Sequence, residues 1–295
     1  MKIFTYFAVN LFLFYQRFKT NLNRRLSRNF SRITSSQISL TFGDQGSGPP
    51  LLLLHGITQN ASSFDPLIRR LKSSFRIIAL DCRGHGDSDK PRKVADYGSN
   101  MVEDVENLLA QLKIEKVHLL GTSMGAEIAL RFAAYNPSSV LSLTVIGSGL
   151  SSDKESENYL AVGEALKKHH SFGPWIKATG GMGYFSPDKI GIATADSMLR
   201  GQDIEALSSV FLSMPEIINL TENEISTLTM PVLGICGELD EERPAIERMV
   251  GKIPNFSLKI LANRGHMDLD QDPSYYATIE AFLSESMQSM RNGNP

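Results

Sequence analysis

Cysteine is scarce in this chain, whose 295 residues include only Cys82 and Cys236. Two cysteines exclude a small protein built on a disulfide framework. Both follow apolar runs, where a buried thiol is expected. Neither the cysteines nor the six histidines show a metal-ligand spacing. The sequence therefore predicts no metal site, and no motif in it implies an organic cofactor.

Acidic residues are missing from the start of the chain. None precedes Asp44, whereas seven of the 30 lysines and arginines do. The whole chain still has a net charge of −2, which argues against a protein that binds nucleic acid through its overall charge. The sequence thus divides into a basic arm and an acidic globular part. Apolar residues make up 42% of the chain, enough for a sizeable core.

The arm, residues 1–30, combines a short apolar run with a longer helical pattern. As a helix, the run at residues 3–15 would span about 20 Å, less than the ~30 Å hydrocarbon core of a bilayer. Apolar side chains recur along one helical face at Phe4, Phe7, Leu11, Phe14, Phe18, Leu22, Leu26 and Phe30. With basic residues off that face, the pattern predicts an amphipathic helix on a membrane surface and a cytosolic globular part. A secretory signal or an organelle-targeting segment is the alternative.

Strand patterns alternate with helical patterns after the arm. The predicted strands lie at 38–42, 51–54, 75–80, 117–120, 140–146, 231–236 and 257–261. This alternation predicts an α/β fold with a mostly parallel, doubly wound sheet. Residues 151–229 interrupt it with helical patterns and no clear strand. We therefore expect one α/β core, residues 31–150 and 230–295, with a helical cap inserted at 151–229.

The strongest local motif is Gly121-Thr122-Ser123-Met124-Gly125, which follows a predicted strand and opens a predicted helix. This is the context of a G-x-S-x-G nucleophile elbow, in which a sharp turn exposes the serine hydroxyl. Glycine is expected on both sides of the turn because a Cβ atom there would strike neighbouring backbone. The helix N-terminus directs its N–H groups toward the same point. Ser123 is therefore the predicted nucleophile.

Five motifs, in their order along the chain, resemble those of the α/β-hydrolase fold family over residues 38–287. They are His55-Gly56, Asp81-Cys82-Arg83-Gly84-His85-Gly86-Asp87-Ser88, the elbow, Gly237-Glu238-Leu239-Asp240 and Gly265-His266. Epoxide hydrolases and haloalkane dehalogenases of this fold use an aspartate nucleophile where this chain has Ser123. The resemblance is therefore to the serine hydrolases of the family.

The resemblance implies a catalytic triad in the chain order Ser, Asp, His. His266 would be the base that activates Ser123, and Asp240 would hold the imidazole in the required tautomer. The histidines set aside as the base are His55, His85, His118, His169 and His170. The carboxylates that stay open as alternatives to Asp240 are Glu238, Glu241 and Asp153.

The resemblance also implies an oxyanion hole formed by the backbone N–H groups of Ile57 and Met124. The first of these lies in a His-Gly-Ile-Thr loop. That loop departs from the triple-glycine form of many lipases and esterases, which weakens assignment to that branch.

These features together predict a serine hydrolase that cleaves a carboxylic ester through an acyl-serine intermediate. Phenylalanine, methionine and tryptophan in the cap favour an apolar acyl group, unless they only pack the cap. The alternatives are thioesterase, lactonase, acyltransferase or C–C bond hydrolase chemistry on the same triad, and a non-catalytic ligand receptor. The expected partners are a small-molecule or lipid ester and, through the arm, a membrane surface, but not nucleic acid.

Overall fold

A sheet of eight strands runs through the described part of the protein. The structure is a computed structural model that describes residues 30–181 and 185–291. In chain order the strands are β1 (Phe30–Ser35), β2 (Ile38–Gln45), β3 (Pro50–Leu54), β4 (Arg76–Leu80), β5 (Val117–Thr122), β6 (Val140–Ile146), β7 (Val232–Gly237) and β8 (Phe256–Leu261). Their spatial order is β1-β2-β4-β3-β5-β6-β7-β8. Strand β2 is antiparallel to both of its neighbours, β1 and β4. The remaining neighbouring pairs, from β4 through β3, β5, β6 and β7 to β8, are parallel. The predicted fold class is confirmed.

Helices connect these strands. They are α1 (Asp65–Leu71), α2 (Ser99–Gln111), α3 (Met124–Tyr135), α4 (Asp153–His169), α5 (Gly173–Thr179), α6 (Lys189–Asp196), α7 (Ile204–Ser213), α8 (Pro215–Ile218), α9 (Glu222–Ser226), α10 (Arg243–Glu247) and α11 (Pro273–Arg291). Short 3₁₀ turns lie at Ala61–Phe64, Val94–Asp96, Pro137–Ser139, Ser197–Leu199 and Leu269–Gln271. Helices α4 to α9 separate β6 from β7 and are called the helical segment below. Among the helices of the described residues, none has the length and apolar character needed to cross a bilayer.

Both faces of the sheet are covered, as expected for buried parallel strands. Successive side chains of a strand point to opposite faces. In β3, Leu52 and Leu54 pack into one hydrophobic cluster, which also contains side chains of α2 and α3. Leu51 and Leu53 pack into the opposite cluster, with side chains of α1 and α11. The continuous apolar run of this strand therefore reflects burial on both sides.

The helical segment has a hydrophobic cluster of its own. Trp175, Leu199 and Phe211 are buried in it, together with other side chains of α4, α5 and α7. Two partly buried residues, Tyr159 and Ile57, pack against both this cluster and the main core. They mark the junction between the helical segment and the sheet.

One assignment at the start of the chain is wrong. Phe30 begins β1 and pairs with Gly43, so it does not end the helical stripe of the arm. A tight turn joins β1 to β2 at Ser36 and Gln37, whose φ angles are 44° and 70°. Positive φ at both central residues is the hairpin geometry that matches the twist of the strands. The rest of the arm, residues 1–29, lies outside the described residues.

The loop at residues 81–88, which follows β4, is held in place by buried polar contacts. Arg83 and Asp104 form a buried ion pair of 2.6 Å, and each side chain is 2% exposed. The carboxylate of Asp81 accepts the N–H groups of Ala61 and Asp87, each at 2.8 Å. These bonds satisfy the charged groups of the loop within the protein, as burial requires.

Candidate active site

The predicted site residues gather at the carboxyl ends of the parallel strands. Ser123 follows β5, Asp240 follows β7, His266 follows β8 and Ile57 follows β3. This edge is where sheets of this type bind their ligands, because loops from adjacent strands converge there. Residues separated by up to 209 positions therefore share one small region.

The turn at Ser123 has the geometry of a strained elbow. Ser123 has φ 51° and ψ −121°, a conformation that is rare for a residue with a side chain. A Cβ atom on Gly121 would lie 2.1 Å from the carbonyl oxygen of Gly125. A Cβ atom on Gly125 would lie 2.1 Å from the carbonyl oxygen of Leu54. The expectation that both flanking positions exclude a side chain is confirmed.

Ser123, His266 and Asp240 form a continuous hydrogen-bonded chain. The Nε2 atom of His266 lies 3.2 Å from the Oγ of Ser123, and its Nδ1 lies 3.1 Å from the Oδ1 of Asp240. The Asp240 side chain is fully buried, whereas that of His266 is 25% exposed. The arrangement suits a neutral imidazole that donates Nδ1–H to Asp240 and accepts the serine proton at Nε2.

The alternative acids lie elsewhere. Glu238 is exposed, and its carboxylate accepts the N–H of Asn263 at 2.9 Å. Glu241 is exposed next to Asp240, and Asp153 is exposed at the start of α4. A further bond orients the acid, because the N–H of Glu242 donates to the same Oδ1 of Asp240 at 2.9 Å. Of the candidates, Asp240 is the one placed against His266.

The alternative histidines occupy structural positions. His118 is buried in β5, its Nδ1 lies 2.8 Å from the Oγ of Ser142, and burial lowers its pKa to about 4. His85 is buried in the loop at residues 81–88, where burial lowers its pKa to about 3. His55 accepts the N–H of Cys82 at 3.0 Å. The remaining two, His169 and His170, are exposed at the end of α4.

The loop that carries Ile57 runs beside Ser123. A Cβ atom on Gly56 would lie 3.3 Å from the Cβ of Ser123. The side chain of Gln59 accepts the N–H of Gly56 at 3.1 Å. From the helical segment, Gln202 donates to the carbonyl of Thr58 at 2.7 Å. One hydrogen bond within the loop and one from the helical segment thus hold the loop in place.

Met124, the other predicted oxyanion residue, is the first residue of α3. N–H groups in the first turn of a helix have no acceptor within the helix. The N–H of Met124 is therefore available beside Ser123 for an oxygen of a bound substrate.

A family model described as alpha/beta hydrolase fold matches residues 49–180, a stretch that includes the elbow. The chain has the α/β-hydrolase fold. The match begins at the turn before β3 and ends in the helical segment, so it covers Ser123 and the loop of Ile57 but not Asp240 or His266.

Three similar proteins illustrate the range of relatives of this chain. It is 40% identical over 116 residues to a 2-(acetamidomethylene)succinate hydrolase of Mesorhizobium japonicum, a match that covers 39% of this chain and 41% of that protein. It is 28% identical to a putative 2-succinyl-6-hydroxy-2,4-cyclohexadiene-1-carboxylate synthase of Bacillus subtilis, covering 87% of this chain and 97% of that one. A carboxylesterase structure from Nitrososphaera gargenis superposes with a TM-score of 0.73 at 22% identity, covering 88% and 100% of the two chains.

Acidic side chains dominate the electrostatics around the imidazole of His266. Burial lowers the pKa of His266, but the hydrogen bond and charge of Asp240 and the charges of Glu242 and Glu241 outweigh it. The pKa of His266 is therefore raised from 6.5 to about 9. A more basic imidazole is a stronger proton acceptor once it is neutral.

Sequence reasoning missed two carboxyl groups of this region. Glu127 is buried in α3, and burial together with the charge of Glu242 raises its pKa to about 8. Burial, with the charge of Asp240 acting against that of His266, raises the pKa of Glu242 to about 7. The sequence signal that could have identified Glu127 is an acidic residue one turn after the elbow, because a helix face packed on a sheet rarely carries an unpaired charge.

Proposed function

We propose that this hydrolase cleaves a carboxylic ester through a covalent acyl intermediate on Ser123. The chain of hydrogen bonds from Ser123 through His266 to Asp240 carries the proposal. A serine hydroxyl is a weak nucleophile near neutral pH and needs a base within hydrogen-bond reach. His266 meets that requirement, and the buried Asp240 stabilises the imidazolium that forms when His266 takes the proton.

The reaction proceeds in two halves. The Oγ of Ser123 attacks the ester carbonyl while His266 takes its proton, and the N–H groups of Met124 and Ile57 stabilise the negative oxygen. His266 then gives its proton to the leaving alcohol as the carbon–oxygen bond breaks, which leaves an acyl-Ser123. Water, deprotonated by His266, attacks this acyl group, and the proton returns to Ser123 as the acid departs.

The charges around the site favour a substrate that is neutral near the reacting carbonyl. Asp240, Glu242 and Glu241 all act on His266. Their negative potential would repel a carboxylate held beside the imidazole. The similarity to a 2-(acetamidomethylene)succinate hydrolase raises the alternative of a dicarboxylic substrate, which this potential disfavours.

Apolar side chains beside the site support an apolar acyl group. Ile57 and Tyr159 pack between the core and the helical segment, and the Tyr159 ring lies 5.9 Å from that of Phe211. We further propose that the helical segment is a cap that shapes the acyl pocket.

A fluorophosphonate probe tests the nucleophile. Incubation of the full chain should give one covalent adduct, located on Ser123 by mass spectrometry, because the probe reacts with a serine that a neighbouring base activates. The Ser123→Ala variant should remain unlabelled. An adduct elsewhere, or none on folded protein, would exclude Ser123. Turnover of p-nitrophenyl esters in the same samples separates an enzyme from a receptor that retains the triad.

The arm supports a separate proposal, association with a membrane surface. Its apolar stripe and six basic residues without an acidic one suit anionic lipid. We expect the full chain to co-sediment with liposomes of phosphatidylserine and phosphatidylcholine, and a chain without residues 1–29 to bind much less. Equal binding of the two would end this proposal, and weaker binding at high salt would show the electrostatic part.

A further inference from the structure

Glu127 joins three separate elements around the active site. It lies one turn after Ser123 on α3, and its N–H donates to the Ser123 carbonyl at 3.2 Å. The side chain is 3% exposed. Its Oε1 accepts from the Oγ of Ser148 at 2.9 Å, and its Oε2 accepts from the hydroxyl of Tyr159 at 2.8 Å. Ser148 follows β6 and Tyr159 lies on α4, so one carboxyl group links the nucleophile helix to both.

The Ser148 bond acts close to the catalytic base. Ser148 follows Gly147, whose φ is 65°. A Cβ atom on Gly147 would lie 3.0 Å from Cε1 and 3.1 Å from Nδ1 of His266. The imidazole therefore packs directly on the Gly147 backbone, and a shift of this loop would move the ring.

The Tyr159 bond acts on the other wall of the site. Tyr159 packs against both the main core and the cluster of the helical segment. Its hydroxyl reaches back to Glu127, so α4 is tied to α3 by a polar contact inside an apolar junction. Such a contact has a narrow geometry, whereas apolar packing tolerates sliding.

Charged groups of several elements surround Glu127. Glu242 and His266 face it from the loops after β7 and β8. Arg131, one turn further along α3, directs its guanidinium to the carbonyls of Glu216 and Ile217. Glu155 of α4 acts on Tyr159 and on Glu242. Burial, together with the charge of Glu242, raises the pKa of Glu127 to about 8.

We propose that Glu127 is a positioning residue, which through Ser148 holds the Gly147 backbone against His266 and through Tyr159 holds helix α4 over the same site. The inference rests on the proposed function, since it assigns the positioned imidazole as the base. The two side-chain hydrogen bonds of Glu127 act on different steps. The bond to Ser148 supports proton transfer, and the bond to Tyr159 supports binding of the acyl group.

Single substitutions distinguish the effects of these two hydrogen bonds. Ser148→Ala should lower the rate of Ser123 labelling and kcat by about tenfold or more, because small displacements of a base are costly. Tyr159→Phe should raise KM while the labelling rate stays within about threefold of wild type, because the base keeps its support. Glu127→Leu should show both effects. Glu127→Gln keeps the shape and both hydrogen bonds, so it should restore labelling to near the wild-type rate at pH 7.

The control is Glu106→Gln, which alters an exposed glutamate that accepts one bond from Asn136 at 2.8 Å. If wild type labels at Ser123 and the Ser148 and Tyr159 variants match it in rate and KM, the positioning role is wrong while the proposed function stands. If wild type itself fails to label, both fail. The variants Ser148→Ala and Tyr159→Phe each remove one hydrogen bond, and they keep the test decisive should Glu127→Leu not fold.

Thermal unfolding gives a readout that packing alone would not move. A carboxyl group whose pKa is raised in the folded state binds a proton there that the unfolded chain releases. Its contribution to stability is therefore lost as the pH rises from about 4.5 toward 8. Glu127→Gln removes this loss, so its Tm relative to wild type should increase between pH 5 and 8, unlike that of Glu106→Gln. A pH-independent difference would contradict the buried carboxyl contact on which the proposal depends.

Discussion

Replacing Ser123 by alanine is expected to lower kcat for ester hydrolysis by about 10⁴-fold or more, the largest effect of any single substitution in this protein. Without the hydroxyl there is no atom at the elbow to form the acyl intermediate. The backbone N–H groups of the site and the bound geometry remain, so Kd for a substrate analogue should change little. Initial rates with p-nitrophenyl butyrate and calorimetric binding of the product acid would measure the two quantities.

The matched control is Ser284→Ala. The Ser284 hydroxyl is exposed on α11 and donates to the carbonyl of Glu280 at 2.8 Å, far along the chain from the elbow. This variant should hydrolyse the ester at the wild-type rate. Full activity of Ser123→Ala would require another nucleophile and would reject the mechanism, whatever the control shows.

Asp240→Asn is expected to lower kcat by about 10⁴-fold with little change in fold. An asparagine amide can donate to the imidazole and so favours the tautomer with its proton on Nε2, which cannot accept the proton of Ser123. The amide also carries no charge to stabilise the imidazolium. Steady-state kinetics and circular dichroism of the purified variant would separate lost catalysis from lost structure.

The same substitution should move the pH profile. His266 must be neutral to act as a base, so the rate rises with pH through its pKa, which is raised to about 9 mainly by Asp240 against the effect of burial. Removing the hydrogen bond and charge of Asp240 lowers that pKa. The residual activity of Asp240→Asn should therefore begin its rise at lower pH than wild type, and an unchanged midpoint would show that Asp240 does not set the basicity of His266.

The rival carboxylates serve as controls. Glu238→Gln and Asp153→Asn should retain kcat within about threefold, because neither carboxylate contacts His266 and exposed charges are well screened. Glu241→Gln should shift the pH profile slightly downward, because its charge acts on His266. A large loss of kcat in any of the three variants would indicate that the substituted carboxylate, and not Asp240, serves as the acid of the triad.

Strand β1 shows where pattern reasoning failed. Its residues Phe30–Ser35 include only two apolar side chains, Phe30 and Ile33, which lie three positions apart and so lack the period of two that marks a strand. Phe30 also continued the stripe of the arm. The turn after it is Ser36-Gln37, which lacks the Asn-Gly or Asp-Gly signature of a tight hairpin. The strand exists because it pairs with β2 along its length, and pairing of this kind leaves little trace in one sequence.

The chain by itself determined the fold class and was enough to predict Ser123 as the nucleophile. Both depend on local regularities, namely the alternation of strand and helix patterns and a glycine-flanked serine between a strand and a helix. These regularities hold because each element must bury one face and because the elbow admits no Cβ beside Ser123.

Tertiary structure decided which distant groups meet. It placed Asp240, and not Glu238 or Glu241, against His266. It also brought Glu127 into hydrogen-bond contact with Ser148 and Tyr159, which are 21 and 32 residues away. Such contacts depend on the order of strands in the sheet and on how loops converge at its carboxyl edge. Local periodicity carries no information on either, because it reports only which face of an element is buried.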